Sequence, residues 1–419
     1  MDKQKYFPVL KDVLSAERTL NEILEPTPLH RSRSLSEKYG ANVYLKREDL
    51  QMVRSYKIRG AYNKIRSLSS EERERGVVCA SAGNHAQGVA YSCSKLGIKG
   101  KIFMPTTTPK QKISQVKMFG GQYVEVVLVG DTFDAASRAA ASECEKSSMV
   151  FIHPFNDPKI IEGQATVGLE ILQNSKEQFD FLFVPVGGGG LLSGVGSVFN
   201  QLSAHTQVIG VEPAGAAGMK ASVEAGKVVE LAEIDKFVDG AAVALVGETT
   251  YDICSKVTSD IVTVPEGKVC TTILNLYNAD AIVVEPAGAL SISALDTYAD
   301  KIKGKNVVCI VSGSNNDITR MEEIKERSLL YEGLKHYFII SFPQRSGALK
   351  NFLTTIMGPT DDITYFEYKK KTSRDEGPAL VGIEVQKSED IKAIIEKMDA
   401  EGVNYQYVND NISLFELVI

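Results

Sequence analysis

Histidine is scarce in this sequence: there are five in 419 residues, and none stands in an HExxH or comparable ligand spacing. That leaves little from which to build a transition-metal centre, and no metal is expected. Cysteine is sparse too. The six cysteines (79, 93, 144, 254, 270 and 309) form no CxxC and no paired spacing, so they read as reduced, mostly buried thiols of a cytoplasmic protein. Blocks of like charge are absent. Against 47 basic residues stand 53 acidic ones, a net charge of −6 spread along the chain, which argues against nucleic acid as the main partner. The N-terminal stretch MDKQKYFPVLKD lacks the apolar core of a signal peptide. One uncharged run of membrane-spanning length exists, FLFVPVGGGGLLSGVGSVF (181–199), but it contains six glycines and a proline. No helix persists through GGGG, so the run reads as a buried strand, a loop and a helix, and no membrane partner is expected.

What the sequence does have is length and alternation. A chain of 419 residues buries a large core and divides into two or three domains. From about Val43 to Ile310, apolar strand candidates alternate with helical patterns. The strands are VVCA (77–80), KIFMP (101–105), YVEVVLV (123–129), FLFVPV (181–186), VIGV (208–211), AIVV (281–284) and VVCIVS (307–312). Helical spacing marks 84–96, 132–146, 161–172 and 287–298 between them. Continuous apolar strands separated by helices indicate an α/β fold with parallel sheets covered on both faces, and ligands in such folds sit at the C-terminal ends of strands. After about Ile318 the pattern changes. A charged connector precedes the order strand, helix, strand, strand, helix, strand over His336 to Val408, with a last strand SLFELVI (413–419). That is the ferredoxin-like α+β order. The expected division is 1–327, a connector 328–335, and 336–419.

Several strand ends and helix starts carry chemistry. In RSYKIRG (54–60), Ser55 is a good N-cap, and Ile58, Ala61, Tyr62 and Ile65 follow at helical spacing. Lys57 therefore falls in the first turn, where the helix dipole and burial both disfavour an ammonium; a neutral amine is what imine chemistry needs. In PVGGGGLLSG (185–194) a strand enters Gly187, Gly188, Gly189 and Gly190 and then a helix near Leu191, so that backbone N–H groups converge on an anion. A rival reading takes Gly188, Gly190, Gly194 and the later Glu212 as a dinucleotide fingerprint, which leaves Lys57 unexplained. In CASAGNHAQG (79–88), Ser81, Ala82, Gly83 and Asn84 offer N–H groups and a hydroxyl to a carboxylate at a helix start. His85 is read as a core or supporting histidine, with a base as the sharper alternative. In VCIVSGSNND (308–317), Ser312 emerges directly from a strand. VEPAGA occurs at 211–216 and 284–289, and both copies are expected at strand ends.

SYKIRGA, SAGNHAQG, HPF with GQAT, VPVGGGGL, VEPAGA and VSGSN stand in the order found in fold-type II pyridoxal-phosphate enzymes, the tryptophan synthase β-like fold. Over essentially its whole length the chain resembles the biosynthetic threonine dehydratases (threonine ammonia-lyases) of the shorter bacterial form, with one ACT-like domain. The resemblance implies pyridoxal 5'-phosphate as cofactor. It implies that Lys57 carries it as an imine and acts as base, that Gly187 to Leu191 bind its phosphate, that Asn84 meets its ring hydroxyl and that Ser312 faces its pyridine nitrogen. Ser81 to Asn84 would receive the carboxylate of L-threonine, or more slowly L-serine. For the C-terminal part it implies a homotetramer with isoleucine as inhibitor and valine as activator, and Arg345, Ser346 and Gly347 in FPQRSGAL are candidates for holding the effector's carboxylate. A mere oligomerisation module is the plainer reading of that part. One departure stands out: Ala165 in GQAT (163–166) replaces an expected glycine, and its methyl would narrow a backbone approach. The role of Glu285 stays open, as do a serine dehydratase or racemase and a non-catalytic amino-acid sensor as alternatives.

Overall fold

The computed structural model describes residues 5–368 and 375–411. It divides into two compact units, Met1–Arg320 and Met321–Ile419. The division falls a few residues before the expected end of the catalytic part at 327, because one helix, Met321–Tyr331, runs through that boundary and packs on the first strand of the second unit. The expected connector 328–335 is the end of that helix, a turn at Gly333 and the first residue of a strand.

Among the described residues the first unit has ten strands: β1 (Leu29–Arg31), β2 (Asn42–Arg47), β3 (Val77–Ala80), β4 (Gly100–Met104), β5 (Val124–Leu128), β6 (Val150–Phe151), β7 (Phe181–Pro185), β8 (Gln207–Pro213), β9 (Asp260–Val264) and β10 (Asn306–Val311). Six form one sheet in the order β1-β2-β10-β7-β8-β9, parallel except for the β1–β2 edge pair. The other four form a parallel sheet, β5-β4-β3-β6. The central strands are buried on both faces, as their unbroken apolar runs require. Each sheet has its own core, one around Leu182, Val195 and Ile310, the other around Cys79, Val89 and Ile102.

Three sequence expectations change. Residues 281–284 are not a strand. Ala281 adopts φ +53 and caps the helix Glu266–Asp280, so Ile282 bonds back to Leu276 without entering a ladder. The edge strand is β9, and only the first VEPAGA copy ends a strand. Ser55 does not cap the helix Lys57–Arg66. Tyr56 occupies the cap position, and the Ser55 hydroxyl is buried without a hydrogen-bond partner among the described residues. At Ala165 the close approach across the helix crossing is made by the facing residue: a Cβ on Gly194 would lie 2.6 Å from the Ala165 nitrogen.

Under the helix Lys57–Arg66 lies an ionic cluster. Arg59 is 1 % exposed and makes five hydrogen bonds through its guanidinium. It grips Glu48 through Nε and Nη2, both at 2.8 Å, and reaches Glu170 at 2.6 and 2.9 Å and Thr166 at 3.0 Å. Lys46 joins Glu170 at 2.6 Å and the Thr27 carbonyl at 2.8 Å. Two cations thus balance two anions in a dry site. Burial opposes ionisation of Glu48, but Arg59 and Lys46 hold its carboxyl below the usual carboxylate range. The cluster ties β2, the 3-10 turn Glu48–Leu50 and the helix Pro158–Gln173 to the helix that begins at Lys57.

The second unit is a four-stranded antiparallel sheet, β12 (Asp362–Tyr368), β13 (Glu376–Glu384), β11 (Lys335–Pro343) and β14 (Tyr405–Tyr407) in spatial order. The helices Ala348–Thr355 and Asp390–Ala400 and the sheet share one core around Phe338, Phe352 and Ile394. The β-α-β-β-α-β order is as the sequence suggests, and the expected strand 413–419 lies outside the described residues.

Arg59→Met tests the ionic cluster: it strips buried Glu48 of its ion-pair partner and leaves Lys46 alone against two carboxylates, and we expect the catalytic unit to lose about 3–5 kcal/mol of stability in chemical denaturation. A loss below about 1 kcal/mol would show that the cluster does not hold the helix.

Candidate active site

One cavity brings together several of the candidate residues, Lys57, Asn84, Gly187 and Ser312, with Tyr56 and Glu285; Gly188 to Leu191 and Ser81 to Gly83 are not part of its lining. Lys57 arrives through a segment zipped to the end of β10. Tyr56 N donates to the Ser312 carbonyl at 3.2 Å, Ser314 N donates to the Arg54 carbonyl at 2.9 Å, and Ser55 bridges Gly313. Arg54 is held at φ +58 to make this connection, an unusual conformation for a residue with a side chain. The pairing fixes Lys57 and Ser312 in one frame although 255 residues separate them (312 − 57).

Lys57 is the first residue of its helix, as its spacing implies. Its Nζ donates to the Pro154 carbonyl at 2.9 Å and lies 5.3 Å from the centre of the Tyr56 ring. Burial lowers its pKa to about 8, against an opposing pull from the Glu285 charge. At pH 7 roughly a tenth of such amines are neutral, against fewer than about one in a thousand for an ordinary lysine.

The glycine loop follows β7. Gly187 lines the cavity, Gly189 takes φ +89, and the helix Gly190–Leu202 starts one residue before the expected Leu191. The loop has no room for side chains: a Cβ on Gly188 would stand 2.3 Å from the Phe155 ring, and one on Gly187 3.0 Å from Ala241. Among the described residues, the N–H groups of Gly187, Gly188 and Gly189 donate to no backbone carbonyl. Unused donors converging at a helix N-terminus suit a phosphate. The segment His153–Asn156 supports this corner, with His153 Nδ1 accepting from Phe155 N at 3.2 Å and Asn156 N at 2.8 Å. Burial and then Lys57 push His153 down to about 4, so it is neutral and can accept.

Asn84 begins the helix Asn84–Leu96 behind β3, with Gly83 as its cap and Gly83 N donating to Ser81 Oγ at 3.2 Å. A Cβ on Gly83 would meet nothing within 4 Å, so this turn borders open space suited to a substrate group. His85 stands apart from the cavity lining. It is buried, shares a 2.9 Å hydrogen bond with the Ile152 carbonyl, and burial pushes it down to about 3, which fits the supporting role and not a base. Ser312 is buried, and its hydroxyl donates to the Ala287 carbonyl at 3.2 Å.

The two VEPAGA carboxylates have parted roles. Glu212 accepts from Met219 N and Lys220 N, both at 2.8 Å, and caps the helix Gly218–Ala225, which disposes of it as a ribose ligand. Glu285 enters the cavity. Burial and then the Asp239 charge push its carboxyl up to about 7, against hydrogen bonds from Asn84 and Asn315 N. Sequence reasoning misses Tyr56, Gly240, Ala241 and Asn315; only HPF and the second VEPAGA signal His153 and Glu285. Arg345, Ser346 and Gly347 lie in the second unit at the turn after β11, where Gly347 at φ +83 starts the helix Ala348–Thr355.

A desolvated amine and a neutral hydroxyl in one cavity, with a glycine loop of unpaired N–H groups at its edge through Gly187, fit pyridoxal phosphate. The family described as "Pyridoxal-phosphate dependent enzyme" matches residues 20–313, and "C-terminal regulatory domain of Threonine dehydratase" matches 326–418. The chain is 58 % identical over 410 residues to the L-threonine dehydratase biosynthetic IlvA of Halalkalibacterium halodurans, covering 98 % of this chain and 99 % of that one. It is equally similar, at 58 %, to the same-named protein of Bacillus subtilis, covering 98 % and 97 %. Among solved structures, the processed threonine deaminase isoform 2 of Solanum lycopersicum superposes with a TM-score of 0.72 at 40 % identity, over 78 % of this chain and 96 % of that one. Maize serine racemase gives 0.72 at 28 %, over 78 % and 99 %. The chain belongs to the pyridoxal-phosphate-dependent enzymes of fold-type II, and within them to the biosynthetic threonine dehydratases.

Proposed function

We propose that the chain is a threonine ammonia-lyase, converting L-threonine to 2-oxobutanoate and ammonia and acting more slowly on L-serine. The observation that carries this reading is the meeting of Lys57, Asn84, Gly187 and Ser312 in one cavity. In it Lys57 Nζ would carry the cofactor, the N–H groups of Gly187 to Leu191 would take its phosphate, and Asn84 and Ser312 would meet its ring oxygen and pyridine nitrogen. Pyridoxal phosphate supplies an electron-withdrawing ring that acidifies the substrate's Cα–H bond and lets the β-hydroxyl depart. The positive end of the helix Asn84–Leu96 and the Ser81 hydroxyl hold the substrate carboxylate, which aligns Cα toward Lys57. Lys57 Nζ would take the Cα proton, and desolvation, which lowers its pKa to about 8, raises the share of the amine free to accept it. The neutral Ser312 hydroxyl would not hold a proton on the ring nitrogen as a carboxylate would, and this would favour elimination over transamination. Water then hydrolyses the released enamine.

The same reading gives the second unit a regulatory role in a homotetramer, with isoleucine as inhibitor and valine as activator. Its separate core and the match to a threonine dehydratase regulatory domain support this. Arg345, Ser346 and the helix start at Gly347 are the proposed contacts for the effector's carboxylate. A cytoplasmic location is supported by six free cysteines. Among the described residues no helix is long and apolar enough to cross a membrane.

Two measurements test the reading. Purified protein given L-threonine should form 2-oxobutanoate, and Lys57→Ala should lower that rate by at least about a thousandfold, since base and cofactor link vanish together. Turnover kept by Lys57→Ala would remove Lys57 from the mechanism. For the second unit, millimolar isoleucine should shift half-saturation by threonine by about fivefold or more, the low end of ordinary allosteric coupling. Coinciding curves with and without isoleucine or valine would leave the unit a structural role.

A further inference from the structure

The carboxamide of Asn84 could face the cavity with either end, and its hydrogen-bond partners decide which. Asn84 Nδ2 donates to Glu285 Oε1 at 2.6 Å, and Asn84 Oδ1 accepts from Asn315 Nδ2 at 2.5 Å. The circuit ends at two backbone groups of fixed polarity. Asn315 Nδ2 also donates to the Val53 carbonyl at 2.9 Å, and Asn315 N donates to Glu285 Oε2 at 3.1 Å. A carbonyl only accepts and a backbone N–H only donates, so neither anchor can be reversed. Val53 O forces the amino end of Asn315 inward, that amino end demands the oxygen of Asn84, and the amino end of Asn84 must then meet an acceptor. A carboxylate accepts at both oxygens, so Glu285 satisfies Asn84 and Asn315 N together. Glu285 is 4 % and Asn315 8 % exposed, so solvent cannot repair a mismatch. The room is cut for this group: a Cβ on Gly313 would stand 2.6 Å, and one on Gly240 3.3 Å, from Glu285 Oε1.

We infer that Glu285 and Asn315 are positioning residues that lock Asn84 with its amino end at the cavity, so that its second N–H is presented to an electron-rich oxygen of the bound group. The inference rests on the cofactor site proposed above and names what sets its polarity. Glu285 takes no step in the elimination, yet it lines the same cavity as Lys57. The repeated VEPAGA thus places one carboxylate on a helix end and the other on an amide switch.

Glu285→Gln is the test, because a carboxamide has one acceptor and one donor. Its oxygen is claimed by Asn315 N, which leaves its amino group against that of Asn84. One donor–donor conflict must then sit somewhere in the circuit. The expected result is a cofactor-free protein that melts earlier than wild type, a holoenzyme whose visible absorption band is shifted, and a kcat on threonine reduced about tenfold or more. The double variant Asn84→Asp/Glu285→Gln separates positioning from plain stability. In it the carboxylate introduced at position 84 accepts from both the new Gln and Asn315, so the donor–donor conflict is gone but no N–H faces the cavity. Its cofactor-free melting temperature should return to that of wild type while the band and kcat do not. Recovery of kcat in the double variant, or a wild-type band and kcat in Glu285→Gln, would overturn the inference with the Lys57 assignment left standing. A wild-type protein with no visible band would overturn both.

Discussion

A primary amine partly withdrawn from water at the start of a helix is the constraint on which the catalytic unit depends. An exposed lysine is almost wholly a cation at neutral pH, and a cation cannot form an imine. Desolvation lowers the pKa of Lys57 and so raises its neutral fraction, and the chain around it must hold it in place. Arg59, two residues on, is anchored by five hydrogen bonds in the Glu48–Glu170–Lys46 cluster. Arg54, three residues before, is held in the left-handed region against the end of β10. The amine therefore sits on a short segment pinned at both ends, and its position relative to Ser312 follows from backbone pairing.

The polar groups around it follow one logic. Where side chains are shielded from solvent, as Glu285 and Asn315 are, each donor needs an acceptor, so fixed backbone groups propagate their polarity through side chains to the cavity. His153 is neutral so that it can accept from the loop that faces the glycines. Phe155 fills the space that side chains at Gly188 and Gly190 would take, and among the described residues the N–H groups of Gly187, Gly188 and Gly189 donate to no backbone carbonyl. Asn84 is oriented by Glu285 and Asn315.

How much of this is legible in the sequence depends on range. Lys57, the four glycines and Ser312 can be read because each stands in a local pattern, a strand end or a helix start, whose physics is contained in a short stretch of chain. The helix Asn84–Leu96 is readable to the residue for the same reason. Glu285 is not, because its meaning lies in partners at 84 and 315, which no local pattern joins. The apolar run 281–284 looks like a strand because burial and strand formation leave the same composition; only the φ of +53 at Ala281 distinguishes them. Ser55 looks like a cap since Ser before a helix usually is one, whereas here the segment is committed to pairing with Gly313. Ala165 departs from the expected motif, and the close approach at that helix crossing is made instead by Gly194, whose Cβ would lie 2.6 Å from the Ala165 nitrogen.

The central claim is that Lys57, alone among the lysines, is the amine that carries the cofactor. Borohydride reduction of the holoenzyme, followed by proteolysis and mass spectrometry, tests it most directly. The account predicts the reduced pyridoxyl phosphate mass on the peptide containing Lys57; the same mass on a peptide carrying any other lysine, with the Lys57 peptide unmodified, would contradict it.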